Sequence, residues 1–125
     1  MKTVLVIEDN PLNMELVVDL LEVNGCRVLQ AATAEEGLNL ARECSPDLVL
    51  MDLSLPGMDG LAATRVLKRD PETRKLTIIA LTAHAMRGDQ NNALSAGCDG
   101  YLSKPIDIKT FASRIEWFIA AAIAN

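Results

Sequence analysis

Apolar residues along this chain follow two rhythms. Thr3 to Ile7 (TVLVI) is an apolar run, and RVLQA around Val28, Asp47 to Met51 (DLVLM), Thr77 to Thr82 (TIIALT) and Gly100 to Ser103 (GYLS) are further short candidates. The first, rich in β-branched residues, fits a strand buried on both faces, as in a parallel sheet. Between them, apolar residues recur every three or four positions, the helical period. Pro11 to Val23 carries Leu12, Leu16, Leu20 and Val23, and Ala34 to Glu43 carries Leu38 and Ala41. Leu61 to Lys68 carries Leu61, Thr64 and Leu67, while Arg87 to Ala96 offers only Ala93, Leu94 and Ala96. The last segment, Ile108 to Ala122, has the clearest stripe: Ile108, Phe111, Ile115, Phe118, Ile119 and Ala122.

Punctuation residues fall where the connections should be. Thr33, with Glu36 three residues on, predicts a capped helix start. Gly25 and Gly97 follow helices as end caps, and Pro46, Pro56, Pro71 and Pro105 sit between elements. The pattern reads as five β/α units spanning residues 1–125, with no spare linker, repeat or second domain. Strands alternating with helices imply a parallel five-stranded sheet covered on both faces, a three-layer α/β sandwich with right-handed crossovers. In such sheets the binding crevice lies beyond the carboxyl ends of the strands.

Composition narrows the function classes. With 12 basic and 17 acidic residues the net charge is −5, which disfavours nucleic acid and anionic membrane surfaces as partners. The cysteines Cys26, Cys44 and Cys98 are odd in number and lack CxxC spacing, so neither a disulfide framework nor a zinc site is expected. No signal-peptide pattern and no apolar run of about 18 residues is present, so a cytoplasmic protein is expected.

The strand ends carry the chemistry. The first strand runs into Glu8 and Asp9, the third into Asp52, the fourth into Thr82, and Lys104 follows the fifth. Two like unit charges about 4 Å apart cost about 4 kcal/mol at an effective dielectric of about 20. Three carboxylates in one crevice therefore call for a counter-charge. An all-oxygen donor set with no His or Cys suits a hard divalent cation, magnesium first and manganese as the alternative. A threonine hydroxyl and a lysine ammonium would complete a phosphate site. Asp52, at the end of the central strand and beside a loop stiffened by Pro56 and freed by Gly57 and Gly60, is placed to attack phosphorus and form an acyl phosphate.

The motifs VLVIEDN, LMDLSLPGMDG, ALTAHA and YLSKPI, in that order and spacing, resemble the receiver domain of two-component response regulators over essentially the whole chain. The resemblance implies a flavodoxin-like (βα)5 fold with strand order 2-1-3-4-5. It implies Asp52 as phosphoacceptor, taking its phosphate from a histidine kinase or histidine phosphotransfer protein. Asp9, Asp52 and the Ser54 backbone carbonyl would bind magnesium, with Glu8 nearby through water. Thr82 and Lys104 would contact the phosphoryl group, and Tyr101 would be the aromatic that turns inward as Thr82 moves. Ser54 and His84 hold the positions that set the dephosphorylation rate. Pro11, Met14 and Pro105 are candidates for phosphodonor docking, with simple packing as the other reading of Met14. An output protein is expected at the face of the fourth helix, fifth strand and fifth helix, on a monomer or a phosphorylation-promoted dimer. EDNPLNMELVVDLL and TAHAMRGD look most like stand-alone regulators of the DivK type and receivers of hybrid kinases.

Two further readings stay open at this stage. A magnesium-dependent phosphohydrolase could use the same aspartyl phosphate, although Leu53 and Ser54 do not supply the second acid of a DxD pair. A pseudo-receiver that binds partners without phosphorylation would not need the acceptor, metal and lysine positions, all of which are filled.

Overall fold

The computed structural model describes residues 2–53, 55, 59–82, 87–104 and 106–124, with the side chains of 87–90 and 122–124 excepted. Five strands alternate with five helices: β1 (Thr3–Ile7), α1 (Pro11–Val23), β2 (Arg27–Ala31), α2 (Ala34–Cys44), β3 (Leu48–Asp52), α3 (Gly60–Arg69), β4 (Ile78–Thr82), α4 (Arg87–Ala96), β5 (Gly100–Ser103) and α5 (Ile108–Ala124). All strand pairs are parallel, and the order is β2-β1-β3-β4-β5.

Side-chain alternation divides the core into two layers. Leu5, Ile7, Val49, Met51, Ile78 and Ala80 pack with Leu38 and Ala41 of α2, Ala63 and Leu67 of α3, and Ala93 of α4. Val4, Val6, Leu48, Leu50, Ile79, Leu81 and Leu102 pack with Val17 and Leu21 of α1 and with Phe111, Ile115 and Ile119 of α5. Both faces of the central strands are thus buried, which is why their sequence shows no polar alternation.

Local chemistry sets the helix ends. Asn10 caps α1 by accepting the N–H groups of Leu12 and Asn13, and Pro11 follows at a position that needs no donor. Thr33 Oγ1 accepts the Glu36 N–H at 3.2 Å, as predicted. Gly25 (φ 81°) and Gly97 (φ 110°) take the left-handed conformation after α1 and α4. Ser45 does so after α2 at φ 43°, without the glycine that would have announced it.

Some expected boundaries and faces shift. β3 spans Leu48–Asp52; just before it, the Asp47 N–H donates to Thr3 O and the Asp47 carboxylate accepts the Thr3 N–H, both at 2.8 Å. β4 starts at Ile78, α2 ends at Cys44, α3 spans Gly60–Arg69 and α5 extends to Ala124. The buried face of α1 is Met14, Val17, Val18 and Leu21, whereas Leu12 (76%) and Val23 (86%) are exposed. This helix is apolar on two sides, and only the sheet decides which is covered. Ile108 is likewise exposed, so the buried stripe of α5 begins at Phe111.

Candidate functional site

Parallel register brings the chemistry-bearing strand ends side by side. Ile7 pairs with Met51, Asp52 with Leu81, and Thr82 with Ser103. The ladder continues past the strand ends: Glu8 N donates to Ala31 O at 3.0 Å, Leu53 N to Leu81 O at 3.0 Å, and Lys104 N to Thr82 O at 2.7 Å. Glu8, Asp52 and Lys104 each lie two positions beyond a residue of the α1/α5 layer (Val6, Leu50, Leu102). Alternation therefore places the three on one side. Thr82 follows Ile78 and Ala80, which belong to the other layer, the one Tyr101 packs against.

Lys104 joins the acids. Its Nζ lies 2.8 Å from Glu8 Oε1 and 3.2 Å from Asp52 Oδ2. Glu8 and Asp52 are almost fully buried, as is Thr82. The other oxygen of Glu8 accepts the Asn10 N–H at 3.2 Å. Burial, and then the neighbouring Asp52, push the Glu8 carboxyl above its ordinary range against the opposing pull of Lys104 and the Asn10 N–H. Desolvation works against the Lys104 ammonium, but Glu8 and Asp52 outweigh it and hold its pKa above the usual lysine value.

Asp9 is exposed, yet one carboxylate oxygen from each of Glu8, Asp9 and Asp52 falls within 4.8 Å of the others. Three oxygens from two strand ends, with no nitrogen or sulfur donor in the group, fit a hard divalent cation that keeps part of its water shell.

The structure therefore brings together Glu8, Asp9, Asp52 and Lys104, with Thr82 at the neighbouring strand end. Tyr101 is half-buried and lines a groove of about 390 Å³ with Phe111 and Arg114. Ser54, His84, Pro105 and the Pro56-Gly57-Met58 stretch lie outside the described residues. Pro11 is exposed, and Met14 packs in the core between α1 and the sheet.

One residue escaped the sequence reading, and another has a role different from the one read there. Asn10 caps α1, and its N–H also donates to Glu8; a cap residue directly before Pro11 was a readable signal. Gly60 opens α3 directly beneath Asp52: a Cβ there would lie 2.8 Å from Leu53 Cα. Its value is close approach rather than loop freedom, and nothing in the sequence announces that.

Comparison with known proteins agrees with this geometry. Residues 4–116 match the family model of the response regulator receiver domain. The chain is 44% identical over 121 residues to the polar-differentiation response regulator DivK of Brucella ovis, spanning 97% of this chain and 98% of that protein. Among solved structures, the receiver domain of sensor histidine kinase PA1611 from Pseudomonas aeruginosa PAO1 superposes with a TM-score of 0.88 at 35% identity, over 95% of this chain and 98% of that one. That structure has a magnesium ion coordinated in its active site cleft. A CheY-like receiver domain protein from Methanospirillum hungatei JF-1 gives a TM-score of 0.90 at 26% identity, over 99% of this chain and 98% of that one. With the matching order of strands and the acids gathered at their ends, the chain belongs to the response regulator receiver family.

Proposed function

We propose that this receiver takes a phosphoryl group on Asp52 from a phosphohistidine of a histidine kinase or phosphotransfer protein, in a magnesium-dependent reaction. The observation that carries it is the Lys104 ammonium 3.2 Å from Asp52 Oδ2, with Asp9 and Glu8 beside the same carboxylate. An Asp52 oxygen attacks phosphorus, the P–N bond to the donor imidazole breaks, and the released nitrogen takes a proton. Asp9 and Asp52, with the backbone carbonyl of Ser54, would hold the ion. A bound magnesium ion would offset charge on the phosphoryl oxygens. Lys104 and the Thr82 hydroxyl hold the transferred group by charge and hydrogen bonding. The domain thus assists its own phosphorylation and, with Ser54 and His84 setting the rate, its own hydrolysis.

Output is by protein binding at the face of α4, β5 and α5. Exposed Leu94 and Trp117 and the groove beside Tyr101 support that choice, and Tyr101 is the residue proposed to follow Thr82. A phosphodonor is proposed to dock at Pro11, Met14 and Pro105, and Leu12, exposed beside Pro11 at the start of α1, offers apolar contact. We place residues 1–125 in one receiver unit working in the cytoplasm; among the described residues, no helix is long and apolar enough to cross a membrane.

Intact-mass measurement after incubation with acetyl phosphate and magnesium tests the chemistry. The gain of one phosphate is expected for the natural sequence and not for Asp52→Asn. An equal gain in both proteins rules out Asp52 as the acceptor.

A further inference from the structure

Glu8 is one of the three clustered acids, and it is also held by the protein itself. Oε1 lies in an ion pair 2.8 Å from Lys104 Nζ, and Oε2 accepts the Asn10 N–H at 3.2 Å. The Asn10 contact is rigid, because Asn10 is held as the cap of α1. The Lys104 contact spans the sheet. β1 and β5 are separated by β3 and β4, a distance of about 14 Å at about 4.8 Å per strand step. Only two long side chains can meet across that gap. An aspartate at this position would end about 1.5 Å short, the length of one carbon–carbon bond.

Lys104 thus occupies the charge environment in which a dication would sit. Its ammonium touches Glu8 and Asp52, two of the three acids whose oxygens cluster. Bringing a dication among the same oxygens would set two positive centres against each other, so a bound dication and the Lys104 ammonium compete for the same carboxylates. Asp9, the exposed member of the three, is the acid left accessible for first contact.

We propose that Glu8 is a latch on Lys104: in the metal-free protein its long arm keeps the ammonium on the acidic cluster, so magnesium affinity is set by competition with Lys104. The latch rests on the proposed magnesium site. It makes glutamate at position 8 a tuning residue, one that lowers metal affinity and holds Lys104 back until metal arrives.

A calorimetric magnesium titration of four proteins tests it: the natural sequence, Lys104→Met, Glu8→Asp and the double variant. Lys104→Met is expected to raise affinity by about tenfold in the natural background and by less than about threefold with Glu8→Asp present. Equal gains in both backgrounds would mean simple removal of a positive charge and would overturn the latch. A urea-unfolding cycle on Glu8→Gln and Lys104→Met without metal should show favourable coupling, and should lose it at saturating magnesium. Absence of coupling in the metal-free cycle rejects the latch even if magnesium binds. Failure of all four proteins to bind magnesium, with metal-free coupling intact, instead removes the magnesium reading and the competition built on it. If Lys104→Met does not fold, Lys104→Gln takes its place in both cycles.

Discussion

Gly60 and Asp52 are packed backbone to backbone: a Cβ on Gly60 would come within 3.0 Å of the Asp52 carbonyl carbon. The first turn of α3 is thereby pressed against the proposed acceptor. Helix propensity alone makes Gly→Ala favourable by up to about 1 kcal/mol. Close approach reverses the sign here, because the obstacle is backbone and cannot rotate aside. Gly60→Ala should destabilise the fold by about 1–3 kcal/mol in urea unfolding and slow Asp52 phosphorylation. A stabilised variant with unchanged phosphorylation would show that the contact relaxes freely.

Lys68 ties the opposite end of the sheet together. Its Nζ donates to Leu76 O at 2.8 Å and lies 3.1 Å from Asp99 Oδ2, the same oxygen that accepts the Ile78 N–H at 2.8 Å. Three elements, α3, β4 and the turn before β5, meet at this ammonium. Lys68→Met should cost about 1–3 kcal/mol in unfolding free energy, since Leu76 O and Asp99 lose a charged donor. A loss near zero, as for an ordinary surface lysine, would mean that water replaces it.

Asp70 gives a pH signature away from the functional site. The Glu72 N–H, the largest influence, holds its carboxyl below the ordinary 3.8; desolvation opposes it, and the Arg42 guanidinium adds to the lowering. A depressed carboxyl contributes stability above its unfolded pKa and loses it as pH falls through the folded value. Asp70→Asn should therefore lower the melting temperature at pH 7, and the difference should vanish once the pH is well below 3.8. A difference that persists in acid would assign the effect to the amide itself.

The three cysteines should react in order of exposure. Cys44 is exposed, Cys26 is half-buried and Cys98 is buried. Burial, the largest effect at each, raises the thiol pKa of Cys26 and Cys98. A thiol reagent at pH 8 should label Cys44 within the first phase, Cys26 slowly, and Cys98 only on unfolding. Rapid loss of all three thiols in the folded protein would contradict the packing of Thr64 against Cys98.

Much of the site was legible because a parallel sheet writes itself plainly. Strands buried on both faces leave continuous apolar runs, so polar residues that end them stand out, as Glu8, Asp52 and Thr82 do. Lys104 was legible by its motif and not by any periodicity. The buried face of α1 was misread because Leu12-Leu16-Leu20-Val23 and Met14-Val17-Val18-Leu21 both fit the helical period. Which one faces inward is decided by the sheet, a nonlocal fact. Gly60 and Lys68 act through contacts with distant backbone, and no spacing rule encodes those. The Glu8–Lys104 pair is nonlocal in the same way, visible only once four strands are in order.

The central claim is that Asp52 carries the phosphate. Borohydride reduction converts an acyl phosphate on aspartate to homoserine, and peptide mapping after phosphorylation with magnesium and acetyl phosphate then locates it. Homoserine at position 52 and nowhere else is the expected result. Homoserine at Asp9, or no reducible acyl phosphate in a protein that has gained phosphate mass, would contradict it.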